Sequence, residues 1–176
     1  MGTAVIPYQT CDDGTPQACA TATLYLTNLA NIFTSQQVPD VTPVITALPN
    51  IMTGPTAFNI IIRVTELNQE DTVGLITVRV PKDSRWVLAN PYDPALTELS
   101  NISLNNSVWE YSEDTTHHIF TTTSTTTINA GSFSRFGIEA SWNAGQTLGE
   151  YTITSQIDAG SGGEDRINNN TDAEKL

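Results

Sequence analysis

Apolar and polar residues alternate most clearly between Phe58 and Lys82. Phe58, Ile60, Ile62 and Val64 share one parity, and Asn59, Arg63 and Thr65 the other, with Ile61 as the exception. Ile76, Val78 and Val80 then alternate with Thr77 and Arg79. A period of two predicts strands, because successive side chains point to opposite faces. With the polar stretch Asn68 to Gly74 between them, the two runs predict a hairpin. A hairpin alone is marginal in water, so its apolar face predicts a covering sheet.

A second alternating stretch supplies that sheet. Phe136, Ile138, Ala140 and Trp142 alternate with Arg135, Glu139 and Ser141. After the turn Asn143 to Gly149, Tyr151, Ile153 and Ile157 alternate with polar neighbours, which predicts a second hairpin. Val41 to Leu48 reads as an edge strand, because Pro43 has no N–H for a ladder. Val108 to Tyr111 reads as a short strand, and His118 leads into a strand through the threonine run Thr121 to Thr127. That run lacks the regular repeat of an ice-binding face. Residues 3–20 read as loop, Thr21 to Thr27 as a strand with Leu24 and Leu26 facing one way, and Thr53 to Thr56 as a turn. Asn28 to Asp40 is ambiguous between a helical turn and a linker. Pro94 to Asn106 has no firm period. The tail from Asp158 reads as loop, with Glu164 to Ile167 a brief edge strand. Strands, turns and no helix-period segment predict two packed antiparallel sheets.

Composition agrees with an all-β chain. The 176 residues suit one domain with an appended segment. Helical surfaces normally carry lysine, and this chain has only Lys82 and Lys175. A net charge of −12 repels phosphate backbones and anionic lipid, which disfavours nucleic acid and membrane surfaces as partners. No apolar run approaches the roughly 20 residues of a membrane-spanning helix. The first residues do not read as a signal peptide. Met1-Gly2 and Lys175-Leu176 read as added ends, so the expectation is a piece of a longer secreted protein.

Candidate chemistry is sparse. Cys11 and Cys19 enclose a Gly and a Pro, a spacing that fits no zinc pattern. A disulfide is expected there rather than free thiols; it would stabilise by about 2.5 kcal/mol in the chain-entropy model and place the chain outside the cytoplasm. His117 and His118 are neighbours on a strand and point to opposite faces, so they do not share a metal or substrate. The Gly160-Ser161-Gly162 stretch follows a strand without opening a helix, unlike a nucleophile elbow. The carboxylate pairs Asp12/Asp13, Glu113/Asp114 and Glu164/Asp165 lie in turns, whereas glycoside hydrolysis needs two acids about 5–10 Å apart across a cleft. No enzyme and no obligatory cofactor is expected. Two readings of Asp158, Glu164 and Asp165 stand: a calcium (Ca2+) site, or a solvated acidic tail. Trp86, Trp109 and Trp142 are candidate platforms for surface glycans, against the alternative of core residues.

The segments ALPNIMTGPTAFNIIIRVTELN, GLITVRVPKDSRW, INAGSFSRFGIEASWNAGQTLGEYTITSQIDAGSGGE and INNNTDAE together resemble a repeated domain of very large cell-surface proteins of gliding Bacteroidetes. Those proteins include mobile adhesins exported by type IX secretion. The likeness runs from Thr42 to Glu174. It implies an Ig-like β-sandwich, extracellular display, neighbouring domains of the same chain as partners, and a role in adhesion or as a spacer. It carries no catalytic residue across. Asp71-Thr72-Val73 and Asp114-Thr115-Thr116 also look like the O-glycosylation sequon of that phylum. The expected architecture is therefore an all-β, Ig-like antiparallel β-sandwich over residues 41–176, with an N-terminal loop-rich extension over residues 1–40.

Overall fold

The computed structural model describes residues 3–27, 37–51, 56–143, 145 and 149–176. They form two compact units, Met1–Gln37 and Val38–Leu176. Residues 53–55 of the expected turn and most of the stretch from Asn28 lie outside the described residues, as does the Leu26 side chain.

The first unit is a two-stranded ribbon. β1 (Thr3–Cys11) pairs antiparallel with β2 (Cys19–Thr27), from Thr3 opposite Thr27 to Cys11 opposite Cys19. The loop expected over residues 3–20 is thus mostly strand. Pro7 does not prevent this. The Asp12 N–H donates to the Ala18 carbonyl, which sets the ladder parity and turns position 7 away from the partner strand. A disulfide joins Cys11 to Cys19 at the tip. There the Asp12 carboxylate accepts the N–H groups of Gly14 and Ala18 at 3.2 and 2.8 Å.

The second unit is a sandwich of two antiparallel sheets. One is ordered β3-β4-β11-β6, from β3 (Val41–Leu48), β4 (Ala57–Glu66), β6 (Trp86–Leu88) and β11 (Phe133–Trp142). The other is ordered β13-β12-β5-β10-β9. It uses β5 (Thr77–Pro81), β9 (Trp109–Glu113), β10 (His117–Thr122), β12 (Thr152–Ile157) and β13 (Thr171–Lys175). Between them lies the core, with Phe58, Ile60, Ile62 and Val64 from β4 facing Val78, Val80, Phe120, Ile153 and Ile157.

The alternating stretches are strands, but neither predicted hairpin forms. β4 and β5 lie in different sheets, as do β11 and β12. The long partner of β4 is β11, with Ile60 opposite Ile138 and Ile62 opposite Phe136. The physical reason is the connection. Nine or more residues between the strands suffice to cross the roughly 10 Å between stacked sheets, and no two-residue turn holds the strands side by side. The first crossing is itself anchored. Thr72 donates its N–H to the Ile128 carbonyl at 3.0 Å, and its hydroxyl accepts the Ile128 N–H at 2.8 Å. The buried Glu66 carboxylate accepts the N–H groups of Gly131 and Asn68, both at 2.7 Å. Burial pushes its pKa up, but these amides and those of Asp40 and Glu70 outweigh burial and hold it below the usual value.

Ile61, the break in the alternation, points out of the sandwich and is covered. β7 (Glu98–Leu99) and β8 (Ile102–Ser103) form a small flap that lays Leu99 and Leu104 on it. Ser100 and Asn101 both have left-handed backbone, with φ of 53° and 62°, as a tight two-residue turn requires. Gly137 lets the flap come close, since a Cβ there would meet Leu104 Cδ1 at 2.9 Å. Asn106, 1% exposed, holds the flap's far end. Its side chain donates to the Gly137 carbonyl at 3.0 Å and accepts the Gly137 N–H at 2.9 Å, acting as a strand residue would.

The two lateral seams of the sandwich differ. On one side β3 and β13 are closed together by side chains of the tail. The Val41 N–H donates to Glu164 at 3.2 Å and the Ile45 N–H to Asp172 at 2.8 Å, while Pro43 between them has no N–H. The Thr42 hydroxyl donates to the Asn169 carbonyl at 2.9 Å. The edge strand in the tail is β13 and not Glu164 to Ile167. The threonine run also departs from expectation: β10 ends at Thr122, and Thr123 to Thr127 turn away. On the opposite side, between β6 and β9, the seam is open.

Candidate functional site

The open seam is a groove of about 540 Å³, within the roughly 300–1,000 Å³ of small-molecule sites. One wall is β6 and the chain after it, from Trp86 to Pro91; the other is Tyr111, Glu113 and His118, with Lys82 and Asp83 at the end. A second depression of about 420 Å³ shares Pro91 and Tyr111 with the first and continues past Tyr92 and Pro94.

The β9–β10 hairpin assembles the polar part. Its turn is held by Asp114, whose carboxylate accepts the Thr116 and His117 N–H groups at 2.7 Å each. Those amides bring the Asp114 pKa down to about 2. The register then sets His118 opposite Glu113, with Tyr111 opposite Phe120 on the same face. The Tyr111 hydroxyl donates to Glu113 at 2.9 Å and lies 3.0 Å from His118 Nδ1. The Lys82 ammonium contacts Glu113 at 2.8 Å and donates to the Asp114 carbonyl at 2.7 Å. These two donors, Lys82 foremost, hold the Glu113 pKa below its usual value. His118 is buried against Trp86, ring centres 5.2 Å apart. Burial first, and then the Lys82 charge, lowers its pKa and favours the neutral ring. Burial raises the Tyr111 pKa, so the phenol stays protonated. Asp83 holds Arg85 in a two-pronged pair at 2.8 and 3.0 Å, which lowers its pKa to about 2.

The residues expected to bind are placed differently. Trp86 and Trp109 are each 1% exposed and Trp142 is 8% exposed. Trp86 meets Phe58 edge-on at 6.3 Å, Trp109 packs on Phe136 at 4.7 Å and Trp142 on Tyr151 at 5.5 Å. Trp86 and Trp109 border the two depressions, but none of the three indoles offers an open face, so the expected platforms are core residues. Asp158, Glu164 and Asp165 do not converge either. Asp158 accepts from Arg79 at 2.7 Å. Glu164 is buried beneath β3 with Asn170, and burial raises its pKa. Asp165 is exposed. Among the described residues no three His, Cys, Asp or Glu are grouped to hold a metal. Ser161 is buried, and its hydroxyl accepts the Thr77 N–H at 3.2 Å. His117 and His118 point to opposite faces, one half-buried and one buried. Thr72 is 3% exposed, which closes the first sequon-like site; Thr115 is exposed in the β9–β10 turn.

Sequence reasoning missed Tyr111, His118 and Lys82 as a group. The available signal was the short polar stretch Glu113 to His117 between two alternating runs, which pairs position 113 with 118. No protein-family model matches the chain, and no curated protein matches it.

Proposed function

We propose that the sandwich is a non-catalytic module of a secreted, cell-surface adhesin-like chain, serving attachment as a spacer or contact domain between neighbouring domains. The observation that carries this reading is where the buried polar groups are used. Glu66, Asn106, Ser161 and Glu164 each hold backbone amides of chain crossings, and all three indoles pack in the core. Such groups stiffen a scaffold; they do not meet a substrate. The Cys11–Cys19 disulfide supports an extracellular setting, and the charge of −12 speaks against nucleic acid. The resemblance to surface repeats of gliding Bacteroidetes points the same way.

A second reading, a carbohydrate-contact domain, is favoured by the groove at the open seam. A glycan array probed with the purified chain, in calcium and in chelator, separates the two. A spacer gives no signal above an unrelated β-sandwich in either buffer. Selective binding establishes the contact reading, and loss of a printed glycan on incubation would mean catalysis and overturn the proposal.

A further inference from the structure

The hydrogen-bond directions in the groove determine what it can take. The Tyr111 hydroxyl has one proton, and the charged Glu113 carboxylate is the stronger acceptor for it. The contact of that hydroxyl with His118 Nδ1 must then run the other way, with Nδ1–H donating to the phenol oxygen. Neutral His118 therefore presents Nε2 as a lone pair, and among the described residues no donor reaches it. Lys82 uses two of its three N–H bonds, on Glu113 and the Asp114 carbonyl, and keeps one. The Tyr111 and Lys82 contacts both fall on Glu113 Oε2, which leaves Oε1 open. Acceptor, acceptor and donor thus surround the half-buried ring of Tyr111, opposite Val87, Leu88 and Pro91.

A simple cation finds Glu113 and Asp83 already neutralised by Lys82 and Arg85. An anion meets those same carboxylates. A sugar hydroxyl donates and accepts at once, so it can bridge the ammonium and the carboxylate, and the C–H face of its ring suits the apolar wall of Val87, Leu88 and Pro91. Resting on the contact-domain reading, we infer that the seam groove binds a neutral saccharide. Glu113, Lys82 and His118 are its hydroxyl partners, and the apolar wall of Val87, Leu88 and Pro91 faces the C–H side of its ring, while the Tyr111 ring itself packs on His118, Tyr92 and Phe120.

The test uses the full 176-residue chain. Amide and side-chain NMR shifts are followed on titration with neutral disaccharides (lactose, cellobiose and maltose) and with any neutral glycan positive on the array. The expected result is saturable shifts at Tyr111, His118 and Lys82. Glu113→Gln and Lys82→Met should each weaken binding about tenfold, the effect of one charged hydrogen bond of about 1.4 kcal/mol. Glu113 is exposed and Lys82 half-buried, and melting curves of both variants check that they fold. Glu98→Gln, in the flap, should leave affinity unchanged. Binding that moves other residues and ignores both variants overturns this site while leaving the contact reading in place. Preference for sialylated or amine-bearing probes overturns the neutral class. No shift with any probe and a blank array overturn both the site and the contact reading, leaving the spacer.

Discussion

Asn106→Ala is the sharpest test of how the flap is held. The side chain accepts the Gly137 N–H at 2.9 Å and donates to the Gly137 carbonyl at 3.0 Å and to the Asp93 carbonyl at 2.9 Å. Alanine removes all three. Asp93 is exposed, so its carbonyl finds water; Gly137 is buried, so its N–H and C=O are left without partners. A buried polar group stranded in this way costs about 1–3 kcal/mol, so the pair costs about 4 kcal/mol. For a unit of this size that is a drop of roughly 15 °C in melting temperature. Neighbouring Asn105 is the internal control. It accepts the Arg135 N–H at 3.2 Å in the same ladder, but it is exposed, and Asn105→Ala should cost under about 1 kcal/mol. Urea unfolding of both variants, with unchanged slope, measures the difference. If Asn106→Ala lies within about 1 kcal/mol of wild type, or the two variants cost the same, the account of Asn106 as a substitute strand residue is wrong.

Other consequences are open to direct measurement. His118 has a lowered pKa in the fold, so its contribution to stability is complete above the unfolded value near 6.5 and is lost as pH falls toward the folded value. Melting temperature should therefore decline below about pH 6.5, and His118→Phe should flatten that part of the profile. Asp172→Ala leaves the Ile45 N–H unpaired at the edge of β3 and should cost about 1 kcal/mol in urea, with Glu174→Ala, which has no such partner, as the silent comparison. Reducing the Cys11–Cys19 bond removes about 2.5 kcal/mol of loop restraint and should speed hydrogen exchange at the Asp12 amide about 60-fold; an unchanged rate would show that the ribbon does not depend on the bond.

Parity along the chain located β4, β5, β11 and β12, because a half-buried strand must alternate whatever it pairs with. Partners were not legible for the same reason: Phe58 to Val64 would show that pattern beside β5 or beside β11. Ile61 was the legible exception. An apolar residue on the wrong parity of a sandwich strand demands a cover, and the aperiodic stretch with Leu96, Leu99, Ile102 and Leu104 was the available one. The flap escaped notice because its strands are two residues each, too short for any period. The groove was not legible because Glu113 and His118 differ in chemistry and stand apart in sequence, and only the four-residue turn sets them face to face. Glu66 and Glu164 could not be told from surface acids, since nothing adjacent in sequence marks the distant amides they receive.

The closed seam has a mechanical consequence. From Val41 to Ile45 the contacts step through Glu164, Asn169 and Asp172, so β3 and the tail run side by side in the same direction. Tension drawing Val41 one way and Lys175 the other slides these two strands lengthwise past each other. The Glu164, Asn169 and Asp172 contacts then carry the load together instead of parting one after another. Arranged so, a pull along the line through the first and last strands of the unit loads these contacts in shear and not in peeling.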